Sequence, residues 1–148
     1  MNRLDIEPLN APFGARVTGP DLTADLSEEV VEAIREAIDT WSFLCFPEQP
    51  MTDEAHMAFT RRLGEPEAEH VTLGTTGKVV HFGTVGNVAD DGTRRGSAHP
   101  RTHYQTGNEM WHSDSSFRRV PSFVSITHAY EVPGEGGGTS FALSLIHI

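Results

Sequence analysis

Cysteine, long apolar runs and positive charge are scarce in this sequence, and each shortage excludes something. The single cysteine, Cys45, can close no internal disulfide and can build no thiolate zinc site. Metal-binding potential therefore falls mainly to the eight histidines. Uninterrupted apolar stretches run to only a few residues, and the opening Met1-Asn2-Arg3-Leu4-Asp5 lacks the apolar core of a secretory signal. A transmembrane protein is excluded on this reading, and a cytoplasmic location is expected. Eleven Lys and Arg stand against 21 Asp and Glu, a formal charge of -10. That balance opposes a sequence-independent grip on nucleic acid or on an anionic membrane. The shortage is uneven, with three Arg against twelve acids in residues 1–56 and eight basic residues against nine acids in 57–148. Anion chemistry is accordingly expected in the second part.

What is present reads as one domain of 148 residues with 37% apolar content. Pro8-Leu9, Phe13-Gly14-Ala15, Val17 and Gly19-Pro20 predict a short strand and turn. Ser27 then caps a helix with Glu28 and Glu29 in its first turn and Val30, Ile34, Ala37, Ile38 and Trp41 on one face. The run Ser42 to Phe46, ended by Pro47, suits a buried strand. Thr52 opens a second helix through Ala55, Phe59 and Leu63, stopped by Gly64; His56 lies on this helix, read as a surface helix, and carries no functional claim. Val79 to Val85 is a strand, Gly86 to about Gln105 a long loop without apolar periodicity, and further strands are expected over Ser122–Ala129 and from Thr139 to Leu143. The order predicts an α+β fold whose strand-rich part is incomplete.

The segment Asn108-Glu109-Met110-Trp111-His112-Ser113-Asp114-Ser115-Ser116-Phe117 carries the chemistry. On an extended strand His112 and Asp114 point to the same face, so an imidazole nitrogen and a carboxylate oxygen can converge. This is the local half of a two-histidine, one-carboxylate facial triad, which leaves iron positions open for a chelating cosubstrate and oxygen. The spacing by itself decides nothing, because this composition produces about one His-x-acid pair by chance. A solvated strand end is the alternative.

The surrounding residues add specificity. Asn108, Trp111, Ser116-Phe117, Pro121, Pro133, Gly137-Gly138, Thr139 and Phe141 together resemble the iron(II)- and 2-oxoglutarate-dependent dioxygenases of the taurine dioxygenase and 2,4-dichlorophenoxyacetate dioxygenase (TauD/TfdA) family. Trp111 to Phe117 is most similar to the 2,4-dichlorophenoxyacetate branch. Phe13-Gly14-Ala15, Gly19 to Leu22, Phe43 to Phe46, Gln49 and Leu63-Gly64-Glu65 resemble that family's opening, and the resemblance covers roughly residues 6–142.

The resemblance implies a double-stranded β-helix, or jelly roll, with flanking N-terminal helices. It implies Fe(II) as metal and 2-oxoglutarate and O2 as cosubstrates, with succinate and CO2 as co-products of hydroxylating a small anionic substrate of aryloxyacetate or sulfonate type. His112 and Asp114 become iron ligands, and the Thr139 hydroxyl becomes the donor to the distal carboxylate of 2-oxoglutarate. Asn108 falls where the family places a polar residue near substrate, and His70 falls in a segment that contributes substrate contacts. Plain alternatives stand beside each: a β-branched strand residue for Thr139, a loop-capping amide for Asn108 and a solvated loop histidine for His70. Arg94, Arg95, Arg101, His99 and His103 suit either a loop closing over an anion or a solvated loop. His81 and His128 read as packed or edge residues.

Two readings from other classes remain open, a non-catalytic module binding a small anion and a cupin-like metal hydrolase or isomerase. Substrate identity and homo-oligomer formation are open as well. The family pattern needs a distal histidine and a later arginine, and only thirty-four residues follow Asp114, with no Arg beyond Arg119. Residues 1–142 are therefore expected to be the N-terminal part of one dioxygenase domain, inactive alone. Leu143-Ser144-Leu145-Ile146-His147-Ile148 departs from the family pattern and reads as the translation of a transposon-derived sequencing adapter, CTG-TCT-CTT-ATA-CAC-ATC, so 143–148 is expected to be a non-native tail.

Overall fold

The computed structural model describes residues 3–67, 71–73, 79–89 and 91–147. Two compact units are present, one formed by residues 1–66 with 126–148 and one by residues 67–125.

The first unit is built on a three-stranded sheet. Strand β1 (Asp5–Pro8) pairs antiparallel with β2 (Ala15–Thr18), from Asp5 opposite Thr18 to Pro8 opposite Ala15. Helix α1 (Glu28–Trp41) carries the chain across, so that β3 (Leu44–Cys45) returns parallel to β2. A parallel neighbour requires such a crossover, and a helix is its usual form. Helix α2 (Asp53–Leu63) packs on α1. Thr52 caps α2 by accepting a hydrogen bond from the Ala55 amide at 3.2 Å, whereas Ser27 has the extended backbone of a cap but makes no capping bond through its side chain.

Alternation along β2 turns Ala15 and Val17 inward, and they are fully buried with Arg16 and Thr18 outside. Against them lie Leu22, Leu26, Val31, Ile34, Ala37, Met57, Phe59 and Leu63, the buried apolar residues of the helices and their connection. Val31 and Met57 extend the predicted helix faces, because a core-facing stripe is wider than one row. Arg35 donates to the carbonyls of Arg62 and Leu63 at 3.0 and 2.7 Å, closing the end of α2. Arg62 in turn reaches Asp25, Glu28 and the Leu26 carbonyl. Gln49 pins the turn before α1, accepting from the Leu22 amide at 2.9 Å and donating to the Pro20 carbonyl at 3.3 Å. Gly19 is required by sterics: its φ is +105° and an added Cβ would stand 2.4 Å from the Arg3 carbonyl oxygen.

His56 faces inward although α2 is a surface helix. It is buried at 7% exposure, one turn from Phe59 and two from Leu63 on the inner face of α2. The segment 126–141 lies against this unit. The His128 ring meets those of His56 and Tyr130 edge-on, His128 Nε2 is 3.1 Å from the Gln49 carbonyl, and the Tyr130 hydroxyl donates to Asp53. Phe141 lies against Phe43 with ring centroids 4.1 Å apart.

In the second unit β4 (Val71–Leu73) pairs antiparallel with β5 (Val79–Phe82) through an irregular register. The loop after β5 is more ordered than predicted. Val88 bridges Arg94 around a turn, and helix α3 (Pro100–Gln105) starts where the His99 ring accepts from the Arg101 amide at 3.2 Å. A 3-10 turn, Thr106–Glu109, follows.

The strands expected over 122–129 and 139–143 do not form; both stretches are irregular, and a helical turn, α4 (Ser144–His147), closes the described chain. A strand needs a partner with which to exchange its ladder bonds, and that partner is non-local in sequence. The observed architecture is α+β, a small partial sheet with helices. Every buried apolar residue among those described belongs to the first unit, while Trp111 and Phe117 of the second are 72% and 81% exposed. No helix among the described residues is long and apolar enough to cross a membrane.

Candidate functional site

His112 and Asp114 sit in the second unit, where the predicted strand is replaced by an irregular segment that runs into a turn at residues 114–117. Convergence is achieved all the same, with His112 Nε2 3.4 Å from Asp114 Oδ1. Both side chains are about half exposed, so the pair is open to a ligand. The other imidazole nitrogen, Nδ1, lies 2.7 Å from the Met110 carbonyl oxygen. A carbonyl only accepts, so Nδ1 carries a proton, and in the neutral tautomer so fixed Nε2 would turn a lone pair toward the carboxylate. Two acceptors facing one another at this distance need a cation between them, either a second proton on the ring or a metal ion.

The donor set fits a metal. Bonds of about 2.0–2.2 Å place two ligands of one ion no more than about 4.4 Å apart, and 3.4 Å falls within that limit. A metal-bound histidine usually donates its second N–H to a backbone carbonyl or carboxylate, as His112 does to Met110. No third His, Cys, Asp or Glu joins the pair among the described residues.

The turn is held from behind. Ser115 has the left-handed backbone φ of 54° and is buried, and its carbonyl accepts from the Arg118 amide at 3.0 Å. Ser122 Oγ stands 3.3 Å from Ser115 Oγ and donates to Glu67 at 2.6 Å, and Glu67 also pairs with Arg118 at 3.3 Å. Ser125 Oγ donates to Asp114 Oδ2 at 2.6 Å. Sequence reasoning passed over Ser122 and Ser125, whose only signal was position on a segment read as a strand.

Asn108 is exposed within the 3-10 turn Thr106–Glu109. Thr139 is exposed in the first unit, on irregular backbone. His70 lies outside the described residues. Arg95 donates to the Val88 carbonyl at 3.0 Å and Arg101 to Thr84 at 3.0 Å, which engages both in holding their own loop.

Known proteins supply the context. The chain is 35% identical over 140 residues to the (S)-phenoxypropionate/alpha-ketoglutarate-dioxygenase of Sphingobium herbicidovorans, covering 93% of this chain and 44% of that protein. It is 31% identical over 137 residues to the alpha-ketoglutarate-dependent 2,4-dichlorophenoxyacetate dioxygenase of Cupriavidus pinatubonensis, covering 90% and 48%. The chain thus spans less than half the length of these curated relatives. The crystal structure of AAD-2 in complex with Mn(II) and N-oxalylglycine superposes with a TM-score of 0.66 at 30% identity, over 80% of this chain and 39% of that one. Residues 5–144 match the model of the taurine catabolism dioxygenase TauD, TfdA family, and the chain belongs to that family.

Proposed function

We propose that the protein to which this chain belongs is an Fe(II)- and 2-oxoglutarate-dependent dioxygenase that hydroxylates a small anionic substrate of aryloxyacetate or sulfonate type, with succinate and CO2 as co-products. The observation that carries the reading is the facing of His112 Nε2 and Asp114 Oδ1 across 3.4 Å, with the imidazole proton held on the far nitrogen by Met110. The names of the relatives, which act on phenoxy acids with alpha-ketoglutarate, support the substrate class.

In this reading iron with 2-oxoglutarate supplies the oxidation of a C–H bond by O2 when bound. The chain supplies the rest. His112 and Asp114 hold the metal through one nitrogen and one oxygen, which leaves positions open for the 2-oxoacid and oxygen. The Thr139 hydroxyl donates to the distal carboxylate of 2-oxoglutarate, and Asn108 with His70 orients the substrate. The double-stranded β-helix belongs to the whole domain, of which residues 1–142 are a part, and 143–148 are a non-native tail. The distal histidine and the arginine that pairs with 2-oxoglutarate come from the family length this chain does not span. The exposed Trp111 and Phe117 agree with a barrel wall lacking its partner strands, and the chain alone is inactive.

Oxygen consumption by the full-length protein, with 2-oxoglutarate and a phenoxyacetate, tests the proposal. Succinate formed in step with oxygen consumed is the expected result. Substrate turnover that runs without oxygen, with zinc or manganese, would instead identify a hydrolase or isomerase.

A further inference from the structure

The carboxylate of Asp114 has its two oxygens in different employment. Oδ1 faces His112 Nε2, while Oδ2 accepts from Ser125 Oγ at 2.6 Å, within the range of hydrogen bonds to an ionised acceptor. Asp114 is more than half exposed, so packing does little to fix its terminal torsion, which is intrinsically broad. The constraint comes from a hydroxyl eleven residues along the chain.

We propose that Ser125 is a positioning residue for the metal centre: by occupying Oδ2 it selects Oδ1 as the ligand atom and keeps Asp114 monodentate. This rests on the metal-site reading of His112 and Asp114. The consequence is chemical. A carboxylate that binds through both oxygens takes up a further position on the metal, and a 2-oxoacid and oxygen need those positions free. Ordering Asp114 in advance also lowers the cost of forming the site, since hydrogen-bond partners of ligands typically account for about 10–100-fold in metal affinity. Ser116 does not duplicate the role: its hydroxyl donates to the Ser113 carbonyl at 3.2 Å.

The test compares Ser125→Ala, Ser125→Thr and Ser125→Val in the full-length protein, with Mn(II) as probe and free Mn(II) counted by electron paramagnetic resonance. Thr and Val differ by a hydroxyl against a methyl in nearly equal volume, so the pair separates hydrogen bonding from packing. Expected are Mn(II) binding weakened about 10–100-fold in Ser125→Ala and Ser125→Val and near-parent binding in Ser125→Thr. The half-saturating 2-oxoglutarate concentration should rise in the first two variants alone. Equal Mn(II) affinity in the Thr and Val variants overturns the proposal. Asp114→Ala and His112→Ala serve as controls: parent-like affinity in both removes the metal-site reading itself, whereas loss in both with no effect at Ser125 removes only the role of Ser125.

Discussion

His112 Nε2 and Asp114 Oδ1 meet at 3.4 Å across one intervening residue, on backbone that is a loop running into a turn. The pairing therefore does not depend on the strand alternation that first suggested it. Met110 and Ser125 anchor the two side chains from their far atoms, and the left-handed Ser115 starts the bend.

Thr139→Val should raise the half-saturating concentration of 2-oxoglutarate in the full-length protein while leaving Fe(II) affinity unchanged. The lost hydrogen bond is worth about 0.5–3 kcal/mol, with a charged acceptor at the upper end. Initial rates at varied 2-oxoglutarate measure this, and an unchanged half-saturation removes Thr139 from the cosubstrate site.

Asn108→Ala should uncouple the reaction. Succinate should still form slowly while hydroxylated product falls well below it, because in the proposed function the amide orients substrate and does not hold the metal. Equal product-to-succinate ratios in variant and parent would return Asn108 to a structural role.

Burial holds the His56 imidazole pKa below its ordinary value, and the neighbouring His128 adds to the effect, against opposing contributions from Asp53 and a backbone bond at Ile126. A histidine whose folded pKa is depressed stabilises the fold above the unfolded value of about 6.5 and loses that contribution as pH falls through the folded value. The urea midpoint of the full-length protein should therefore drop between pH 7.5 and 5. His56→Gln should shrink that drop, and an identical pH slope in the variant would contradict the assignment.

Gly19→Ala should lower stability by about 1–3 kcal/mol, the usual cost of a strained backbone position. Its φ of +105° and the Arg3 carbonyl at 2.4 Å from the added Cβ both oppose the methyl group. A thermal midpoint equal to the parent's would show that the turn can move aside.

The legible parts of this sequence were the local ones. Helices α1 and α2 followed from their apolar period, and Thr52 from its place before two acids, since helix bonds and caps close within a few residues. His56 is buried because its spacing to Phe59 and Leu63 follows the same period, whereas histidine as a residue type has no strong preference for the interior. The strands of 122–129 and 139–143 depend on distant partners, so alternation in one segment could not tell whether a ladder forms. For the site, the His-x-Asp spacing anticipated that the two side chains converge, but the hydroxyl of Ser125 has no pattern that links it to Asp114.

Anaerobic addition of Fe(II) and 2-oxoglutarate to the full-length protein tests the central claim most directly. Chelation at a site held by His112 and Asp114 should give a weak visible charge-transfer band. His112→Ala and Asp114→Ala should each abolish it together with turnover, and Asp114→Glu should retain part of it, displaced by one methylene from a geometry held to about 0.5 Å. Absence of the band in the parent, or a band unchanged in both alanine variants, would contradict the account.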